Sequence, residues 1–160
     1  MNQTTQEAFE EFTAVIQDLI TLVGNIGRVE DAKARAASEK HHHLLDGYIQ
    51  EEQAQILKLR GLEQHRIRLA ETLGWNSLTF RQILETAPPD QSKRLEPLFV
   101  QLEETLGQMQ LARKSSEQII NVRLHELQTA IARQEGSSYD NSGNVNLNSP
   151  LHAKMKDTYI

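Results

Sequence analysis

The residues best equipped for chemistry stand close together in this chain: Glu39, followed by His41, His42 and His43. Imidazole and carboxylate groups hold transition metals, and Glu39 with His42 makes one Glu-x-x-His step of the kind that serves carboxylate-bridged di-iron bundles. Such a centre needs a second step and two further carboxylates, yet no other histidine here has a glutamate three residues before it. Consecutive residues on a helix also point about 100° apart, so three histidines in a row do not close on one ion. They are expected at a solvated helix end, where imidazole suits the negative end of the helix dipole. Serine, histidine and acidic residues are plentiful, but nothing resembles a nucleophile elbow or a glycine loop that cradles phosphate. Cysteine is absent, which removes thiolate nucleophiles, thiolate metal ligands and disulfides together and fits a reducing compartment. The expectation is a protein without catalysis, metal or cofactor.

Composition points the same way. Of 160 residues, 38% are hydrophobic and only 5% aromatic, so a core must rest on Leu, Ile, Val and Ala. The net charge of -5 comes with no visible basic stripe, which argues against nucleic-acid binding. Apolar runs fall far short of the roughly 18 residues a membrane-spanning helix needs. The polar, acidic opening MNQTTQEAFEEF is unlike a signal peptide, so a cytoplasmic location is expected.

The elements that must position any site are helical. Phe9, Phe12, Ile16, Leu19, Val23 and Ile26 recur at alternating spacings of three and four, which draws one apolar stripe down a helix. Val29, Ala32 and Ala36 continue it as small contacts, apolar residues return at Leu44 and Leu45, and Asp46-Gly47 reads as the turn. Gly24 and Gly27 read as a tight crossing or a slight bend in this first rod, with a true break as the alternative. A second helix is expected from about Tyr48 to Leu73, with Ile49, Ile56, Leu59, Leu62, Ile67 and Leu69 as its apolar positions and Gly74 as its stop. The pairs Glu51-Glu52 and Glu103-Glu104 read as solvated faces. Thr79 and Gln82 form a capping-box pattern before a short helix, Phe80 to Glu85, which Pro88-Pro89 ends. Trp75 is expected to plug the end of the bundle beside Phe80 and Phe99. A third long helix starts near Asp90 or Pro97, with the stripe Leu95, Leu98, Leu102, Leu106, Met109, Ala112, Ser116, Ile120, Leu124, Leu127 and Ile131. Residues 136–160, rich in Ser, Asn and Gly at their start, read as a flexible tail with a short terminal helix. The fold class is therefore all-α: an elongated antiparallel bundle of three long helices in residues 1–135, with one short connecting helix.

Several local patterns resemble the FlgN family of flagellar export chaperones over about residues 9 to 145. They are a Leu-Glu-x-x-Arg step at Leu62, Glu63 and Arg66 closed by Leu73-Gly74, the segment Ser77 to Leu84, and a Tyr-Asp-x-x-Gly element at Tyr139 to Gly143. One departure stands in the third helix, where the family commonly carries two asparagines three apart before a Leu-Ile pair. Here Arg113 and Ser116 precede Ile119-Ile120. The resemblance implies a cytosolic chaperone that holds the terminal helices of hook-filament junction (hook-associated) proteins and delivers them to the export gate. On geometry, a third helix of roughly 55 Å outruns the hairpin tip and leaves Ile120, Leu124, Leu127 and Ile131 short of partners, a stripe suited to a client helix. Ile120 is the member expected to close the bundle. Tyr139 is the candidate anchor for docking at the gate. The competing expectation is a structural coiled-coil scaffold or homodimer with no secretion client.

Overall fold

The computed structural model describes residues 3–135, and every described element is helical: α1 (Gln3–Ser38), α2 (His42–Thr72), α3 (Phe80–Thr86) and α4 (Pro89–Glu135). The predicted tail, Tyr139 with it, lies outside the described residues. None of the described helices is long and apolar enough to cross a membrane.

α1 is the central rod. Three columns of its side chains are buried: Phe9, Ile16, Val23, Glu30 and Ala37; Phe12, Leu19, Ile26 and Lys33; and Ala8, Val15, Leu22, Val29 and Ala36. Each column repeats every seven residues, so together they form a face wide enough for two neighbours. Those neighbours are α2 and α4, which both pack along α1 and whose Cα traces nowhere come within 8 Å of each other. α2 runs antiparallel to α1, as His65 beside Glu11 at one end and Glu52 beside Lys33 at the other require. α4 runs parallel to α1: Arg94 pairs with Glu10, Met109 faces Gly27, and Arg123 reaches Ser38. The topology is up, down, up.

Gly24 and Gly27 leave α1 unbroken and face α4, where a Cβ at Gly27 would lie 3.7 Å from the Met109 Cα. That distance is ordinary contact, so the crossing is close without requiring glycine.

The end where the chain begins is capped by aromatic packing. Phe12, fully buried, meets Trp75 edge-on at 5.3 Å and Phe99 edge-on at 6.3 Å, while Phe80 stacks on Phe99 at 4.3 Å. Edge-on and offset rings satisfy the aromatic quadrupole and add to the burial itself. Trp75 thus seals the end as expected, with Phe12 as its ring partner. α3 carries the expected capping box: the Thr79 hydroxyl accepts from the Gln82 amide, and the Gln82 side chain accepts from the Thr79 amide. Ser92 of α4 donates to the Leu84 and Ala87 carbonyls and so ties the end of α3 to the start of α4. From α2, half-buried Arg66 pairs with Glu63 at 2.5 Å and lies over the Phe80 ring at 5.8 Å. The Leu62-Glu63-Arg66 step is therefore a fastening between α2 and α3.

Four expectations are corrected. The first turn is at residues 39–41, and Asp46-Gly47 lies inside α2. α1 ends in a Schellman motif: the His41 amide donates to the Ala36 carbonyl, the Lys40 amide donates to the Ala37 carbonyl, and Lys40 sits at φ 60°. Backbone geometry that normally selects Gly or Asn is here carried by a lysine. α4 starts at Pro89, next to the expected Asp90, and continues through Pro97, which leaves the Lys93 carbonyl without its usual intrahelical donor. The buried positions of α4 include Phe99 and Arg113, where Leu98 and Ala112 were expected, because the 3-4 register passes one residue later. In α2, Ile67 is exposed, and Glu52, expected on a solvated face, is completely buried.

Candidate functional site

The far end of the bundle is set by where α1 stops. Arg123 of α4 donates to the Ser38 carbonyl at 3.0 Å, so the last turn of α1 lies level with Arg123. α4 continues for twelve more residues to Glu135, about 18 Å at 1.5 Å per residue. Leu124, Leu127 and Ile131 follow at spacings of three and four on one face. Their exposures are 40%, 53% and 46%, against complete or near-complete burial for their counterparts Leu95, Phe99 and Leu102 at the other end. Ile120 is half-buried. It lines a small recess of about 50 Å³ formed by Ala37, His42 and Leu45 on one side and Ile120, Leu124 and Leu127 on the other. Leu44, at the start of α2, is 42% exposed at the same end. The four residues expected at a client site therefore lie on the far turns of α4: Leu124, Leu127 and Ile131 are exposed, and Ile120, Leu124 and Leu127 line the recess.

The histidine run sits at this end too. His41 and Glu39 approach at 3.5 Å with both side chains about half exposed, and His42 lines the recess. No group of three potential metal ligands comes together among the described residues.

Between the aromatic end and the open end lies a cluster that the sequence reading did not pick out. Glu30 and Lys33 of α1, Glu52 of α2 and Ser116 of α4 are each at most 2% exposed. Lys33 Nζ donates to Glu52 Oε2 at 2.5 Å and to Glu30 Oε2 at 3.4 Å, and the Ser116 hydroxyl donates to Glu30. Arg113, nearly buried, pairs with Glu117 at 3.3 Å one turn along α4. Burial pushes the Glu52 carboxyl up to about 8, and its hydrogen bond with Glu30 pushes the same way against the pull of Lys33. Burial would raise Glu30 as well, but the hydrogen bond from Glu52, the Lys33 charge and the Ser116 hydroxyl hold it below the ordinary range. The coupled Glu30–Glu52 pair therefore retains one proton at neutral pH. The Oε1 atoms of both find no N–H or O–H donor from the rest of the protein. With that one proton the layer is electrically neutral: Lys33 and Arg113 stand against Glu30 and Glu117.

A signal for this layer was present. The alternating steps of three and four that run from Phe9 to Ile26 continue without interruption through Glu30, Lys33 and Ala37. In α2 the same register reads Ile49, Glu52, Ile56, Leu59, and in α4 Met109, Arg113, Ser116, Ile120. Charge at a seam position on all three rods at one level is the mark of a buried polar layer.

No protein-family model, no curated protein and no solved structure matches this chain.

Proposed function

We propose that this chain is a cytosolic export chaperone of the flagellar type, which holds a terminal helical segment of a hook-filament junction protein until that client reaches the export gate. The observation that carries the reading is the apolar strip Leu124, Leu127 and Ile131, left open on turns of α4 that outrun α1. An amphipathic helix laid on this strip would bury its own apolar face, and Leu44, Leu45 and the recess beneath Ile120 extend the landing area toward the hairpin. A client that folds on binding loses ordering entropy, and burial along several turns offsets it. The local likenesses to the FlgN family, carried by Leu62, Glu63 and Arg66, by Ser77 to Leu84 and by Tyr139 to Gly143, support this choice of client and receiving gate.

The test uses the full chain and a terminal fragment of a junction protein, followed by calorimetry and light scattering. A defined heterocomplex is expected, and Leu127→Glu with Ile131→Glu should weaken it by about 100-fold or more while helicity by circular dichroism is unchanged. Undiminished binding by the double variant would remove the strip from the site. Self-assembly that ignores the fragment would favour the scaffold reading instead. Tyr139→Ala should leave client binding intact and weaken association with the cytoplasmic domain of the gate; equal affinity for the gate would remove that role.

A further inference from the structure

The contiguous apolar core reaches Ile26 on α1, Leu59 on α2 and Met109 on α4 and goes no further toward the far end. Past these residues the seam holds Glu30 and Lys33 on α1, Ile56 and then Glu52 on α2, and Arg113 and then Ser116 on α4, so the polar side chains form one layer across the three helices. Beyond it the fully covered apolar side chains are Ala36 and Ala37, while Leu44, Leu124, Leu127 and Ile131 are open. Alanine contacts contribute little, since stabilisation follows the apolar area buried.

We propose that the Glu30–Lys33–Glu52–Ser116 layer is a latch dividing the rod in two, so that α1 beyond Lys33, the turn, α2 before Glu52 and α4 beyond Ser116 open as one unit while the aromatic end stays folded. Sub-global opening of this kind follows units that share buried apolar contacts, and the large buried apolar side chains give way to alanines across this layer. The proposal stands apart from the client reading, because its measurement involves no client.

The latch is sensitive to pH through Glu52. The groups facing Glu52 are Lys33 and Glu30 from α1, with Ser116, Arg113 and Glu117 completing the layer from α4. On α2 itself, Tyr48 and Glu51 line a separate surface recess with Arg28. In the closed layer the Glu52 carboxyl keeps its proton up to about pH 8; once the layer opens to water it reverts toward its ordinary value near 4.5. Opening between those values therefore releases a proton, and each rise in pH favours the open form. The closed layer is firmest near the lower value: below it opening takes up a proton at Glu30, which the closed layer holds beneath its ordinary range, and above it the Glu52 contribution is progressively lost as pH climbs through the upper value.

Hydrogen exchange of the full chain, read by mass spectrometry at about pH 6 and pH 9 and corrected for intrinsic exchange, tests this. Amides beyond the layer should share one opening, distinct from that of the aromatic end, and its equilibrium should rise at least about tenfold between the two conditions. Glu52→Gln keeps a donor toward Glu30 and an acceptor for Lys33 but has no proton to release. In that variant the far end should remain a separate unit and its pH dependence should vanish. A single opening shared by both ends, or two openings without pH dependence, overturns the latch. So does a pH dependence that survives in Glu52→Gln. The wild-type profile is decisive by itself if the variant does not fold.

Discussion

At the end of the bundle where the chain begins, α1 presents Phe9, Phe12 and Ile16 to Trp75, Ile83, Leu95 and Phe99, all buried. At the other end of the same rod the buried apolar residues are Ala36 and Ala37, and the large side chains of α4 stand in solvent. Both ends are formed by helices in the same register, so backbone geometry does not separate them; side-chain volume and charge do. The aromatic end buries large rings and is closed by α3. It is further held by Arg94, whose guanidinium bonds both Glu10 oxygens at 2.6 and 2.9 Å and lies over the Phe9 ring at 5.0 Å. The difference teaches how a slender bundle can keep a surface free for a partner. It concentrates its stability at one end and leaves the other end under-filled.

The largest test of that contrast is volume removal at each end. Phe12→Ala should lower unfolding stability by about 3–5 kcal/mol, since the ring is fully buried between Trp75 and Phe99. Leu127→Ala, at 53% exposure, should cost less than about 1 kcal/mol. Urea unfolding followed by circular dichroism measures both. Comparable losses would mean that the two ends are equally packed, and the contrast would fail.

The layer between them gives the next effect. Lys33→Met removes the cation that Glu30 and Glu52 share and leaves the buried Glu30 carboxylate uncompensated, a loss of about 3 kcal/mol. Replacing the set together, with Glu30→Leu, Lys33→Met and Glu52→Leu, removes the desolvation penalty along with the pairing. That triple variant should be as stable as the parent or more so. A triple variant weaker than Lys33→Met alone would show that the layer contributes net stability, and the far end would then owe its stability to more than alanine contacts.

Much of the architecture was legible because helical periodicity reports directly on burial. The α1 stripe, the capping box at Thr79 and Gln82, the stop at Gly74 and the plugging role of Trp75 all follow from residue types whose preference matches their setting. The polar layer was missed for the opposite reason. Glu30, Lys33 and Glu52 are types that favour solvent, and only their partners, 19 and 86 residues distant in sequence, make burial tolerable. On α4 the layer falls at Arg113 and Ser116, of which only Ser116 lay on the predicted stripe. The open strip was half legible. Leu124, Leu127 and Ile131 were visible as a stripe, but their exposure depends on where α1 ends, and that end was read seven residues too late, since residues 39–41 rather than Asp46-Gly47 turn the chain.

That misreading supplies the smallest and cleanest comparison, because both long hairpin ends use one motif with different residues. α2 closes with the Trp75 amide donating to the Ala70 carbonyl, the Gly74 amide donating to the Glu71 carbonyl, and Gly74 at φ 78°. α1 closes identically through His41 and Lys40, with Lys40 at φ 60°. A side chain in this left-handed conformation costs about 1 kcal/mol from the crowding of Cβ against the following carbonyl, and glycine avoids it. Gly74→Ala should therefore destabilise the chain by about 1 kcal/mol, and Lys40→Gly should stabilise it by somewhat less, since glycine also loses more backbone entropy on folding. Thermal unfolding of the two variants beside the parent reads both signs. If Lys40→Gly lowered the melting temperature, the lysine would be contributing a contact that its exposed position does not suggest, and the far end would be held by more than the layer and its alanines.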